Sequence, residues 1–264
     1  MSTDDFDKYF YYNQSVQSPE ADMEFFAKTY KELRGEEARV FGEDFCGTFA
    51  NCCAWVKKDP ERQAYGIDLD QEPLNYGRQN YLAKLAPSEQ QRIQLFEADV
   101  LGRDFPGADI ICGLNFSYFG FKDRPTLKRY FEAAKARLNP GGLFIVDCFG
   151  GSKCLEANEE ETEDPELGYS YFWDQDEFDP ISNESYFHIH FKRKGERKRK
   201  NVFNYDWRLW SIPEIRDLFA EVGFQSSVVY WEGNDEDGDG NGVFSRTDVG
   251  EECEAWVAYI VGVV

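Results

Sequence analysis

Four short stretches set carboxylates and glycines where a chain can grip a nucleoside. In Glu43-Asp44-Phe45-Cys46-Gly47-Thr48, Gly47 lets the backbone approach a ligand closely and Thr48 is of a type that caps a following helix. That arrangement suits the carboxypropyl end and ribose of a nucleoside cofactor near a helix N-terminus. Gly66-Ile67-Asp68-Leu69-Asp70 puts Asp68 about 20 residues beyond Gly47, where a carboxylate accepts hydrogen bonds from two ribose hydroxyls. Asp70 is better suited than Asp68 to capping a helix that starts near Glu72. In Glu97-Ala98-Asp99-Val100 an acid can receive an adenine amino group. Leu138-Asn139-Pro140-Gly141-Gly142-Leu143 reads as a helix stop and tight turn, because proline cannot continue a helix and paired glycines accept positive φ.

A second set of residues lies in the latter half. His188 and His190, the two histidines of the chain, stand at i and i+2 on one strand and so share a face. They offer a general base near neutral pH, a metal-binding pair lacking an evident third ligand, or polar residues packed among Tyr186, Phe187 and Phe191. Tyr171, Trp173, Tyr205, Trp207 and Trp210 supply an aromatic lid suited to a cation or an apolar molecule, and equally able to form a core of their own. Arg208, between two tryptophans, is a candidate contact for a carboxylate. The loop Asn234–Gly242 imitates the start of an EF-hand, with Asp235, Asp237 and Asp239 at ligand positions and Gly240 at the turn. Arg246 stands where a bidentate glutamate is needed, so a flexible acidic loop is expected instead, and no metal site.

The elements that must position these residues alternate. Pro19–Arg34 has the apolar spacing of an amphipathic helix. Strands are expected at Ala38–Phe45, Gln63–Leu69, Arg92–Glu97, Ala108–Leu114 and Leu143–Phe149, with helices at Thr48–Lys57, Glu72–Leu85 and Arg124–Leu138 between them. Such alternation implies right-handed βαβ units and a parallel sheet covered on both faces. After Gly151 the pattern changes. Glu159–Asp164 reads as an exposed acidic loop, and three aromatic strands at Tyr169–Trp173, Ser185–Lys192 and Asn201–Leu209 suit an antiparallel meander. A helix over Ile212–Val222, ended by Gly223, and two strands, Ser226–Trp231 and Trp256–Val263, close the chain. The expected layout is a helical extension (1–37), an α/β core that binds the cofactor (38–150), an inserted β lid (151–210), and the last helix with two final strands (211–264).

Composition narrows the partners. With 29 basic and 50 acidic residues the net charge is −21, which repels phosphate backbones and makes nucleic acid an unlikely partner. The basic run Lys192–Lys200 reads as a solvated hairpin tip. Apolar runs fall short of the roughly 18 residues of a membrane span. The N-terminal stretch lacks the basic and apolar regions of a secretory signal, so a cytoplasmic location is expected. Seven cysteines, two of them adjacent, fit packed thiols better than a disulfide framework.

With these motifs in order over about Val40–Val264, the chain resembles the class I S-adenosylmethionine-dependent methyltransferases. Asp44-Phe45-Cys46-Gly47-Thr48, Asn115-Phe116-Ser117-Tyr118, Tyr205-Asp206-Trp207-Arg208-Leu209-Trp210 and Tyr230-Trp231-Glu232-Gly233 look like a subfamily of them to which no substrate attaches. The resemblance implies a doubly wound, seven-stranded Rossmann-like sheet with an inserted antiparallel meander. It also implies S-adenosyl-L-methionine bound by Glu43, Phe45, Cys46, Gly47, Asp68, Leu69, Asp99, Val100 and Asn115. Phe45 and Phe49 replace the outer two of the family's three loop glycines. The same departure disfavours a dinucleotide enzyme, because GxGxxG is absent. Asn115-Phe116-Ser117-Tyr118 loosely resembles the Asn-Pro-Pro-Tyr signature of amino-group methyltransferases, without its prolines. The expected function is methyl transfer to a small-molecule acceptor through O or N, with Tyr118, His188 and His190 as candidate catalytic residues. Tyr171, Trp173, Trp207, Arg208 and Trp210 are the candidate acceptor contacts. The alternatives are a non-catalytic binding or scaffold protein, and methylation of a protein side chain; the oligomeric state is open.

Overall fold

The structure, a computed structural model, describes residues 6–235 and 240–264. Two helices lead, α1 (Lys8–Val16) and α2 (Pro19–Arg34), followed by β1 (Val40–Asp44), α3 (Ala50–Lys58), β2 (Gln63–Asp68), α4 (Gln71–Asn80), the single turn α5 (Pro87–Gln90), β3 (Ile93–Glu97) and β4 (Ala108–Gly113). After these come α6 (Arg124–Ala136), β5 (Leu138–Gly150), β6 (Asn158–Asp164), β7 (Tyr169–Gln175), β8 (Glu184–Arg193) and β9 (Arg199–Arg208). The chain closes with α7 (Ile212–Val222), β10 (Ser226–Asn234), β11 (Gly240–Thr247) and β12 (Trp256–Val263).

The described residues form a large mixed sheet in the order β11-β10-β12-β5-β4-β1-β2-β3 and a separate antiparallel sheet in the order β6-β7-β8-β9. From β3 to β5 the neighbours are parallel; β12, β10 and β11 add antiparallel pairs. Strand order reverses between β1 and β4, so the carboxyl ends of these two strands flank the crevice where such sheets hold ligands. The core strands are apolar on both faces, as strands covered by helices on each side must be. Leu143 and Ile145 join Ile110, Cys112 and the α2–α3 residues Phe26 and Trp55 on one face. Phe144 and Val146 join Ile111 and the α6–α7 residues Phe131 and Phe219 on the other. The cysteines are all unbridged and six of the seven are buried. Among the described residues no helix is long and apolar enough to cross a membrane.

The expected sheet has seven strands, whereas the described one has eight. The added strand is β11, which begins in the last residues of the stretch expected to be a flexible acidic loop and runs on to Thr247. Its glycines and asparagine give no strand pattern, yet they extend β10 as a hairpin partner. Asp237 and Asp239 lie outside the described residues, and no helix pair flanks Gly240 or Arg246, which belong to β11. The lid likewise has four strands in place of three. Glu159–Asp164, expected as a loop, pairs in register with β7 as an outer strand. Its residues are mostly exposed, so no alternation marks it, and a charged strand is a means of blunting a sheet edge. The basic run forms the β8–β9 hairpin tip, with Gly195 at φ 81°.

Two junctions hold the crevice. At the end of β1, Asp44 takes two hydrogen bonds from the guanidinium of Arg137, at 2.8 and 2.7 Å, with both side chains fully buried. Arg137 follows α6, so this ion pair ties the mouth of β1 to the α6–β5 corner. The expected tight turn is absorbed into β5, where residues 140–142 fall at a register irregularity against β4; Gly141 has φ 81° and a Cβ there would lie 2.4 Å from Arg34. Removing one partner of a buried pair leaves the other charge uncompensated. Asp44→Asn is therefore expected to destabilise the fold by about 3–5 kcal/mol, read as a lower urea midpoint. An unchanged midpoint would mean that the corner does not rest on this pair.

Candidate functional site

The loop from β1 to α3 turns on three left-handed residues: Phe45 (φ 56°), Gly47 (φ 51°) and Phe49 (φ 48°). For a non-glycine residue that conformation costs roughly 1–2 kcal/mol, which burial of two aromatic rings offsets. Phe45 packs edge-on against Tyr130, ring centroids 5.3 Å apart, and Phe49 is fully buried. The phenylalanines thus keep the backbone path that glycines would take. Thr48 does not cap α3, whose first residue follows Phe49 without a side-chain cap; its hydroxyl instead receives the Asn13 amide of α1 at 3.1 Å.

Asp68, at the end of β2, accepts the Gly47 N–H on one carboxylate oxygen (2.7 Å) and the Asp70 N–H on the other (2.8 Å). Burial raises its pKa, and these amide bonds oppose the shift. Asp70 caps α4 through the Glu72 N–H, as expected. No atom lies within 4 Å of where a Gly47 side chain would begin, so the backbone faces open space there. Leu69 is 71% exposed beside Asp68. The Ala98 N–H donates to the Asp68 carbonyl, which brings Asp99 and the buried Val100 beside the end of β2. Asp99 is exposed and accepts the Leu101 N–H. A carboxylate for a diol, an apolar platform and a second acid beyond it together fit a purine nucleoside.

Glu43 and Cys46 face elsewhere. The Glu43 carboxylate enters the β1–α3 interface, where it accepts from the Asn51 amide (2.7 Å) and the Cys52 thiol (3.3 Å). Cys46 is buried against Gly66, whose missing Cβ leaves room for its sulfur. Helix α1 crosses above the loop: Lys8 pairs with Glu72 at 2.8 Å, and Tyr9 packs against Tyr76 at 5.0 Å.

Beyond β4, a cavity of about 120 Å³ is lined by Tyr12 and Val16 of α1, Asn115 and Phe116, and the lid residues Tyr171, Trp173, Ile189, Tyr205 and Trp207. Asn115 and Phe116 are both left-handed, and their N–H groups donate to the two carboxylate oxygens of Asp147 at 2.6 and 2.9 Å. Burial pushes Asp147 up to about 7. Asn115, Tyr171, Trp173 and Trp207 are thus brought together as expected.

Other candidates are not in this cavity. Tyr118 is fully buried and its hydroxyl donates to the Asp147 carbonyl at 2.7 Å. Trp210 is in the core, its indole N–H donating to the Phe121 carbonyl, with the Arg208 guanidinium over its ring at 3.8 Å. Arg208 does meet a carboxylate, that of Glu214 at 3.5 Å, but at the lid–α7 junction. His188 and His190 alternate with Phe187, Ile189 and Phe191, and it is the latter set that packs inward. The histidines therefore lie on the face of the lid sheet turned away from this cavity, where His190 is buried and His188 partly exposed. His188 contacts Asn204 and Asp176 there. His190 lies 2.8 Å from Asp174, and with Glu159 the two form a cluster of potential ligands within 4.8 Å. The Asn201 N–H donates to His190 Nδ1 at 2.9 Å. A neutral ring then keeps its proton on Nε2, the atom facing the carboxylates, with no lone pair there for a metal.

Sequence reasoning missed Tyr12, Val16, Ile189 and Asp147. Tyr9, Tyr12 and Val16 recur at i, i+3 and i+7, a helical stripe that was legible. Asp147, inside an apolar strand, carries the only such signal the others lack: an isolated acid in a core run needs a partner.

No family model matches the sequence, and no curated protein matches it. Solved structures do. An S-adenosylmethionine-dependent methyltransferase from Clostridium acetobutylicum is 20% identical, with TM-score 0.69 and 96% of each chain covered. CalS10, an amino pentose methyltransferase from Micromonospora echinaspora involved in calicheamicin biosynthesis, is 14% identical, with TM-score 0.65 and coverage of 96% of this chain and 97% of that one. The sugar N-methyltransferase KedS8 from Streptoalloteichus is 19% identical, with TM-score 0.64, covering 98% and 92%. The chain shares the fold of these proteins.

Burial raises Glu43 from the ordinary carboxylate range to about 8, with the Asn51 and Cys52 bonds opposing the shift. The folded protein then holds a proton that the unfolded chain has released, so stability from this group falls as pH rises from about 4.5 to about 8. Glu43→Gln removes that dependence. Its melting temperature relative to wild type is expected to rise between pH 5 and pH 8, and a constant difference in melting scans would contradict the assignment.

Proposed function

We propose that this protein is an S-adenosylmethionine-dependent methyltransferase acting on a small-molecule acceptor through an oxygen or nitrogen atom. The observation that carries the reading is the left-handed loop at the strand-order reversal, with Asp68 fixed on the Gly47 N–H beside open space. The similar folds of proteins described as methyltransferases, two of them on an amino pentose or a sugar, support it.

S-adenosylmethionine supplies an electrophilic methyl group on a sulfonium. The task left to the protein is to hold the donor, align an acceptor in line with it and keep water out. Gly47, Asp68, Leu69, Asp99 and Val100 are assigned to the donor, with Asn115 at the boundary with the acceptor. Glu43, Phe45 and Cys46 set the shape of the loop from within the core. Tyr171, Trp173 and Trp207 form the acceptor wall, joined by Tyr12 and Phe116. Aromatic faces there suit the developing neutralisation of a cation and exclude water. Helix α1 contributes to both sides, through Tyr9 near the Asp68 end and Tyr12 in the acceptor cavity. The histidines, on the far face of the lid sheet, and the core residue Tyr118 are left outside the reacting set.

Asp68→Ala is expected to weaken S-adenosylmethionine binding at least tenfold by calorimetry, and to lower the melting temperature through the loss of the Gly47 and Asp70 amide bonds. Unchanged affinity would overturn the site. In the wild type, S-adenosylhomocysteine should form when a matching amine or alcohol is present. Tight donor binding without turnover across a broad acceptor panel would favour a non-catalytic binding protein.

A further inference from the structure

A second cavity, of about 240 Å³, opens on the far side of Phe116 and Trp173, which line both it and the cavity next to Asn115. Its outer wall is the β10–β11 hairpin and the start of β12, with Trp231, Glu232 and Trp256. Three glycines make this wall possible. A Cβ at Gly150 would lie 2.3 Å from the Trp256 indole, one at Gly250 would lie 2.9 Å from the Trp231 indole, and one at Gly240 would lie 2.7 Å from the Glu232 carboxyl carbon. The two indoles stand 5.0 Å apart, inclined by 31°.

The charge is as specific as the shape. Glu232 is half-buried and accepts the Gly242 N–H on one oxygen at 2.9 Å. Among the described residues its carboxylate has no ion pair. The cation of the cleft, Lys153, lies instead by Glu160 and Glu254, at 4.0 and 3.4 Å. Burial holds Glu232 above the usual carboxylate range, the response of an acid without a counter-charge. A cleft lined by one carboxylate and two indoles is a setting that favours an organic cation, and the net charge of −21 raises the local concentration of cations.

We propose that this cleft is the recognition subsite for a cationic group of the acceptor, an alkylammonium held by the Glu232 carboxylate against the indoles of Trp231 and Trp256. The proposal rests on the methyl-transfer reading for its role and deepens it. A protonated ammonium has no lone pair to attack a methyl group, so the group bound here is not the atom that is methylated. The acceptor class is then a small molecule with two functions: a positively charged amine at the outer cleft, and a second, neutral amine or hydroxyl that reaches past Phe116 to the inner cavity.

The test compares choline with its neutral isostere 3,3-dimethylbutan-1-ol, using tryptophan fluorescence and calorimetry on the full chain. Choline is expected to bind saturably and at least tenfold more tightly than the alcohol, and Glu232→Gln to lower choline affinity at least tenfold with S-adenosylmethionine affinity unchanged. Equal binding of the two probes by the wild type, or an unchanged choline affinity in a folded Glu232→Gln variant, would overturn the subsite. If the variant fails to fold, the wild-type comparison of the two probes still decides. Absence of S-adenosylmethionine binding in a wild type that prefers choline would remove the methyl-transfer reading and leave the cation subsite supported.

Discussion

The structure depends on one backbone constraint, the left-handed path between β1 and α3. Each of Phe45, Gly47 and Phe49 holds a positive φ, and the loop closes on itself through the Phe49 N–H to the Cys46 carbonyl at 2.7 Å. The Cys46 N–H reaches the Ile67 carbonyl and the Gly47 N–H reaches Asp68, so the loop is fastened to β2 at two successive amides. Below it the Asp44–Arg137 pair fixes the end of β1 from the opposite face. An aromatic side chain tolerates this conformation only where packing over-determines it. The core around Tyr130, Gly77 and Phe121 does so here.

A parallel constraint operates at the mouth of β4. Asn115 and Phe116 turn through two left-handed residues in succession, and Asp147 collects both freed amides. The two strand ends that border the crevice are therefore both held by a carboxylate accepting backbone N–H groups. That common device holds the backbone at both strand ends in a fixed path, its amides already satisfied by the carboxylates.

The lid separates two chemistries by strand alternation. Its inner face carries Trp173, Phe187, Ile189, Tyr205 and Trp207 against Phe149 and Phe116 of the core. Its outer face carries His188, His190, Asp174, Asn204 and Glu159, satisfied among themselves and by Lys198. The aromatic layer belongs to the crevice. The titratable layer is a hydrogen-bonded network on the far side of the lid sheet, with His190 buried within it.

Spacing and residue type by themselves determined the α/β alternation, the places of Asp68 and Asp70, the positive φ at Gly141 and the aromatic strands of the lid. These are local properties: apolar period, the φ that glycine permits, and a carboxylate next to the amides it caps. Tertiary structure alone decided the rest. Edge strands β6 and β11 take their form from hydrogen bonds to a neighbour, so a charged or glycine-rich run gives no sign of them. The face on which the histidines lie depends on which side of the lid meets the core, and alternation is symmetrical until that contact exists. Tyr118, Arg208 and Trp210 look like site residues in a linear reading because aromatic and basic types serve packing and binding alike. The burial of Tyr118 and Trp210, and the place of Arg208 at the lid–α7 junction, follow from where the lid and α7 dock.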